Sequence, residues 1–173
     1  MMRATLKEKL RYRTPCKSDG AKLWEMVRDS GKLDLNSSYF YLAMSHWFSE
    51  SCMLAEDITT DQLVGMVIGF RKPSRPHTLF IWQIAVHEQY RGQGVALKLL
   101  DQLADQSTDI DYLEATISPS NHSSRRLFEK WAAANNVDIV QSECFGKADF
   151  PDHVHEQEDL YLIGPLKESK GEK

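Results

Sequence analysis

The stretch from His87 to Leu100, "HEQYRGQGVALKLL", sets two glycines where an apolar run gives way to a helical pattern. Gly92 and Gly94 lack the Cβ atoms that would hold a ligand or the preceding chain at a distance. The first turn of the following helix leaves backbone N–H groups without intrahelical partners, and the helix dipole draws negative charge to the same place. A diphosphate meets these conditions, with Arg91 supplying a charged hydrogen bond. The spacing therefore predicts a phosphate-bearing ligand over Gln89 to Gly94. Two familiar phosphate loops are excluded. No Lys-Ser or Lys-Thr follows Gly94, as a Walker loop requires. The third glycine of a dinucleotide fingerprint is missing, although Glu114 lies near the acidic position expected about 20 residues on.

Other residues suited to chemistry lie further apart. Glu114 stands in the otherwise apolar run "YLEATI", where a carboxylate is a candidate proton acceptor or, alternatively, a solvent-facing strand residue. Strand alternation puts Glu114, Thr116 and Ser118 on one face, polar enough to line a cleft. Trp82 shares a side with Ile84 and Val86, for core packing or for stacking on an ammonium or methylene group. Among six histidines, His153 and His155 form the one close pair, and no spacing resembles a zinc site, so no metal is expected. Cys16, Cys52 and Cys144 have neither metal-ligand nor redox spacing, and none has the histidine pattern of an activated nucleophile. Cys52 and Cys144 fall in strand-like runs and read as small buried residues.

The elements that position these groups follow from periodicity. A chain of 173 residues suits one domain, expected over 11–166 with mobile ends at 1–10 and 167–173. A formal charge of −4 argues against general nucleic-acid binding, and no apolar run approaches a membrane span. The odd cysteines suit a reduced, cytoplasmic chain. Asp19 is placed to cap a helix whose Leu23, Trp24 and Val27 share one side, and Asn36 to Ser38 offer caps for a short aromatic helix. Strands are expected at Cys52 to Ile58, Gln62 to Arg71 and Leu79 to Val86, with "KPSRPH" interrupting the second and third. A helix with Val95, Ala96, Leu99, Leu100 and Leu103 on its buried face follows the glycines. Then come a strand at "DYLEATISP", a helix with Leu127, Phe128 and Trp131 inward, and strands at "VDIVQSECFG" and "DLYLIGPL". The order predicts an α/β protein, with a mixed α+β sheet and helices on its faces.

Gln89-Tyr90-Arg91-Gly92-Gln93-Gly94 resembles the acetyl-coenzyme A loop, Gln/Arg-x-x-Gly-x-Gly/Ala, of the GCN5-related N-acetyltransferases (GNAT), and it lies between the strand and helix that family requires. "NHSSRRLFEKWAA" is similar to the family's second signature. Ala132 and Ala133 depart from its common Gly-Phe, and Phe128 stands where many members carry a tyrosine that protonates the departing thiolate. "FIWQIAVHEQYRGQGVALKLL", "LEATISPSNHSSRRLF" and "HVHEQEDLYLI" together resemble the diaminobutyrate acetyltransferases of ectoine biosynthesis, from about Arg13 to Leu166.

The resemblance implies a GNAT fold with a mostly antiparallel, splayed central sheet, acetyl-CoA as cosubstrate and a small diamine as acceptor. It places the coenzyme against Ile84, Ala85, Val86, the loop Gln89 to Gly94, Val95, Asn121, Arg126 and Phe128. It implies direct acetyl transfer to the 4-amino group of L-2,4-diaminobutyrate, with Glu114 and Tyr39 as catalytic candidates and Tyr161 as a further acid. Asp34, Tyr39, Trp82, Glu114 and His155 are the implied substrate contacts, with His153 a competitor to His155. A cytoplasmic homodimer is expected, sealed by aromatics of Tyr39 to Phe48 and the last two strands. The alternatives are an acetyltransferase for another small amine or polyamine, and a sensor that binds acetyl-CoA without turnover.

Overall fold

A computed structural model describes residues 9–151 and 154–166; most of the expected mobile ends, together with His153, lie outside the described residues. The chain forms two compact units, Met1–Phe70 with Gln83–Thr108, and Arg71–Trp82 with Asp109–Lys173. The strands are β1 (Leu10–Arg13), β2 (Cys52–Asp57), β3 (Gln62–Lys72), β4 (Arg75–Val86), β5 (Tyr112–Ile117), β6 (Ile139–Phe145) and β7 (Glu158–Ile163). They make a seven-stranded sheet in the order β1-β2-β3-β4-β5-β7-β6. The β4–β5 pair is parallel, while β1–β2, β2–β3, β5–β7 and β6–β7 are antiparallel. The helices are α1 (Gly20–Ser30), α2 (Ser38–Trp47), α3 (Val95–Gln106) and α4 (His122–Asn135).

In the first unit, Leu23 and Val27 of α1 and Tyr41 and Met44 of α2 lie in one buried cluster with Leu54, Met66 and Ile68 of the strands. Apolar residues at helical spacing produce that arrangement. Ser37 caps α2, its hydroxyl accepting from the Phe40 amide at 3.2 Å, within the cap range expected. Asp19 occupies the N-cap position of α1, but its side chain makes no cap bond there. Its carboxylate accepts instead from the Cys16 amide at 2.7 Å and from Arg13. Arg13 lies on β1, a strand absent from the expected pattern because its four residues, Leu-Arg-Tyr-Arg, read as a charged end. Helix α3 approaches β3 at Gly65, where a Cβ would come within 3.0 Å of Leu99 and 3.1 Å of Val95.

The second unit has its own buried residues. Leu113, Ala115 and Ile117 of β5 and Tyr161 and Ile163 of β7 are buried, as are Phe128, Trp131 and Ala132 of α4. Strand β4 starts at Arg75, earlier than the two prolines suggested, with Pro76 as its second residue; proline is tolerated at strand starts. Cys144, expected inside, is exposed on β6, whereas Cys52 is buried.

Candidate active site

The glycine turn lies in the first unit, where β4 ends and α3 begins. Gly92 and Gly94 have φ of 73° and 82°, the left-handed region that glycine enters without penalty. A Cβ at either would meet nothing within 4 Å, so backbone conformation, not crowding, selects glycine here. Lys98 donates to the Gly94 carbonyl at 3.0 Å, the first bond of the α3 ladder. The amides of Val95, Ala96 and Leu97 therefore point out of the helix end, as an anion site requires.

Side chains brace this turn. The Arg91 Nε donates to the Val86 carbonyl at 3.0 Å and the Gln93 amide to the Gln89 carbonyl at 2.7 Å. The Tyr90 hydroxyl donates to Asp57 at 2.8 Å, which raises its own pKa and helps hold the Asp57 carboxyl below its usual range, after the larger contribution of Thr59. Arg91 thus grips the strand with one of its five donors. Along β4, Trp82, Ile84 and Val86 are partly or largely exposed, while Ile81, Gln83 and Ala85 are buried.

The loop bearing Asp34 is fixed by buried polar groups that the sequence pattern did not single out. The Tyr41 hydroxyl donates to Gln83 at 3.0 Å, and Gln83 donates to the Asp34 carbonyl at 2.9 Å. Tyr41 is fully buried, so each of these bonds replaces water and stays made. Asp34 is exposed, and Tyr39 in the first turn of α2 is 65% exposed.

In the second unit, β4 and β5 register over Thr78 with Tyr112, Leu79 with Leu113 and Phe80 with Glu114. Among the described residues the ladder ends there, although β4 continues in this unit to Trp82 and β5 runs on to Ile117. Partners in register share a face, so Phe80 and Glu114 lie side by side, and alternation adds Trp82 and Thr116. The Phe80 and Trp82 rings meet edge to face at 6.3 Å. Trp82 remains 48% exposed and is not a core residue.

Glu114 is 1% exposed. Its Oε1 is held by the Lys72 ammonium. Its Oε2, equally buried, has no hydrogen-bond partner. A buried acceptor left unmade costs about 1–3 kcal/mol, an expense that folds avoid unless another group completes the bond. Oε2 is thus a buried acceptor with no donor among the described residues. Tyr161 pairs with Ala115 in the β5–β7 ladder, which puts it on the face opposite Glu114; burial raises its hydroxyl pKa.

Asn121 caps α4, its side-chain oxygen accepting from the Ser124 amide at 3.1 Å, and Arg126 is exposed one turn on. Phe128 is buried at 3%, on the core side of α4. His155 stacks on Phe150 at 4.2 Å, and its Nδ1 lies 2.7 Å from the Glu156 carbonyl. The Glu156 carboxylate accepts from the Ser120 amide at 3.1 Å, tying the late loop to the start of α4. Burial pushes the Cys52 thiol up to about 12, and burial with the nearby Glu114 charge raises Cys144, so neither is a ready nucleophile.

A glycine turn with two left-handed residues between a strand and a helix, followed by an Asn-capped helix, marks an acyltransferase of the GNAT class. The family model described as Acetyltransferase (GNAT) family matches residues 21–133. The L-2,4-diaminobutyric acid acetyltransferase of Oceanobacillus iheyensis is 42% identical over 164 residues, covering 94% of this chain and 92% of the relative. That of Marinococcus halophilus is 44% identical over 154 residues, covering 88% of each. A solved diaminobutyrate acetyltransferase from Paenibacillus lautus, in complex with L-2,4-diaminobutyric acid and coenzyme A, superposes with a TM-score of 0.86 at 40% identity, covering 91% of this chain and 96% of that one. The chain belongs to the L-2,4-diaminobutyric acid acetyltransferases of the GNAT family.

Proposed function

We propose that the protein transfers the acetyl group of acetyl-CoA to the 4-amino group of L-2,4-diaminobutyrate, giving N4-acetyl-L-2,4-diaminobutyrate and coenzyme A by direct attack in a ternary complex. The observation that carries the reading is the unpartnered Oε2 of buried Glu114, the proposed proton acceptor in a chain whose relatives bear this activity by name. The amino nitrogen attacks the thioester carbonyl, the C–N bond forms, and the C–S bond breaks as coenzyme A leaves. The amine proton passes to Glu114, directly or through water. A thiol pKa of about 8.5 makes the leaving group tolerable without a strong acid, so Phe128 in place of tyrosine does not block the step. Backbone N–H near Val86 stabilises the oxyanion, Tyr39 is the candidate acid, and Asp34, Trp82 and His155 complete the substrate contacts.

The fit of the coenzyme rests on the glycine turn, whose left-handed residues present the α3 amides to its diphosphate. Gly94→Ala leaves room for the methyl group but strains φ by about 1 kcal/mol. It is expected to raise the KM for acetyl-CoA about tenfold, with the KM for the amine little changed; steady-state titration of each substrate checks this.

The protein works in the cytoplasm, in the route to ectoine, as a homodimer. No helix among the described residues is long and apolar enough to cross a membrane. A second copy would cover Trp47 and Phe48 at the end of α2 and Val140 and Phe145 of β6, which are 44% to 66% exposed. Coenzyme A release measured over L-2,4-diaminobutyrate, ornithine, lysine and spermidine, with NMR of the product, tests the reading. Rapid N4-acetylation of diaminobutyrate alone supports it, and faster turnover of another amine overturns the substrate assignment.

A further inference from the structure

We propose that Lys72 determines specificity by binding the substrate's carboxylate, so that the Lys72–Glu114 pair recognises an amino acid and rejects a plain diamine. The inference rests on the reading of the substrate as a diamino acid. Lys72 is the last residue of β3, and its side chain is 28% exposed beside a carboxylate that is 1% exposed. An ammonium group carries three donors. One is taken by Glu114 Oε1, and among the described residues no second hydrogen-bond partner accompanies it. The pair therefore sets further N–H donors on the cation beside a buried, unpartnered Oε2 on the anion.

A ligand that fills both must carry a carboxylate and an amine. The surroundings agree with that requirement. Phe80 and Trp82 flank Glu114 along the same face with their rings in contact, a wall suited to a short methylene chain. Charge works in the same direction. A polyamine offers Lys72 only further ammonium groups, which it repels, whereas the carboxylate of a diamino acid is attracted. If Lys72 merely neutralised Glu114, the binding of every amine would rest on it equally. Its removal would then weaken all amines alike.

The comparison that tests this uses L-2,4-diaminobutyrate and 1,3-diaminopropane, which differ by the carboxylate alone. In the unaltered protein the amino acid is expected to be preferred by about a hundredfold in kcat/KM, and Lys72→Met should cut that preference at least about tenfold through the KM for diaminobutyrate. Lys72→Arg, which retains the charge, should keep most of it. An equal loss on both substrates in Lys72→Met, or equal use of both by the unaltered protein, overturns the proposal. Turnover of neither substrate alongside turnover of some other amine would instead overturn the assignment of the substrate. A measurement on the unaltered protein alone covers a Lys72→Met chain that does not fold. L-2-Aminobutyrate should compete with diaminobutyrate while propylamine does not, and competition by both equally would sink the idea.

Discussion

Glu114→Gln is expected to lower kcat/KM for L-2,4-diaminobutyrate by about 10²- to 10⁴-fold, the range in which a positioned proton acceptor contributes. The substitution keeps the shape of the side chain and leaves an amide oxygen to accept from Lys72. What it removes is the capacity of the second position to accept, because an NH2 group placed at the present Oε2 can only donate. The approaching amine would then meet a donor, and its proton would have no destination inside the fold. Lys72 tolerates the loss of its counter-charge because its side chain is 28% exposed to water. Acetyl-CoA affinity should be unchanged, since the glycine turn lies on β4 and α3. Stopped assays of coenzyme A release and calorimetric titration of coenzyme A separate the two effects. A variant within threefold of the parent would remove Glu114 from the proton transfer.

Much of this arrangement was legible because it is local. The glycine turn, the Ser37 cap and the shared face of Glu114 and Thr116 each depend on neighbours a few residues apart, where spacing reports geometry. Trp82 was left between core packing and a cleft until its exposure removed the first. What the sequence could not show depends on contacts between distant segments. Lys72 and Glu114 are separated by 42 positions, and a lysine at a strand end reads as solvated until the fold brings a carboxylate to it. Gln83, which holds the Asp34 loop from 49 positions away, reads as an ordinary polar residue in a strand. The same reason hides β1: its pairing of Arg11 with Glu56 gives a charged tetrapeptide a partner of opposite sign. Cys144 was misplaced because a strand pattern does not say whether its sheet face is covered. The register that puts Tyr161 on the face opposite Glu114 is likewise set by β7 pairing.

Arg13→Met should be the most destabilising single change in the first unit. The guanidinium donates to both oxygens of Asp19, at 2.7 and 2.8 Å, and also to Glu56. Asp19 and Glu56 are 3% and 5% exposed, so the charges they bring into the fold depend on that contact. Arg11 supports Glu56 at 2.8 Å from a more exposed position and does not reach Asp19. Burial pushes the Asp19 carboxyl up, but hydrogen bonds from Arg13 and the Cys16 segment outweigh it and hold the group at about 2. Removing one partner of a buried ion pair costs about 3–5 kcal/mol, which for a chain of this length lowers the melting temperature by roughly 10 °C. The sign with pH follows from the depressed carboxyls. The contribution of Asp19 is fully present above its unfolded value near 3.8 and is lost as the pH falls through about 2, and Glu56, also held low by Arg13, acts in the same direction. Chemical denaturation of the parent and Arg13→Met should therefore differ most at neutral pH, with the gap closing in acid. A gap that stays constant from pH 7 down to pH 2 would show that the variant loses packing by the arginine stem, not the ion pair.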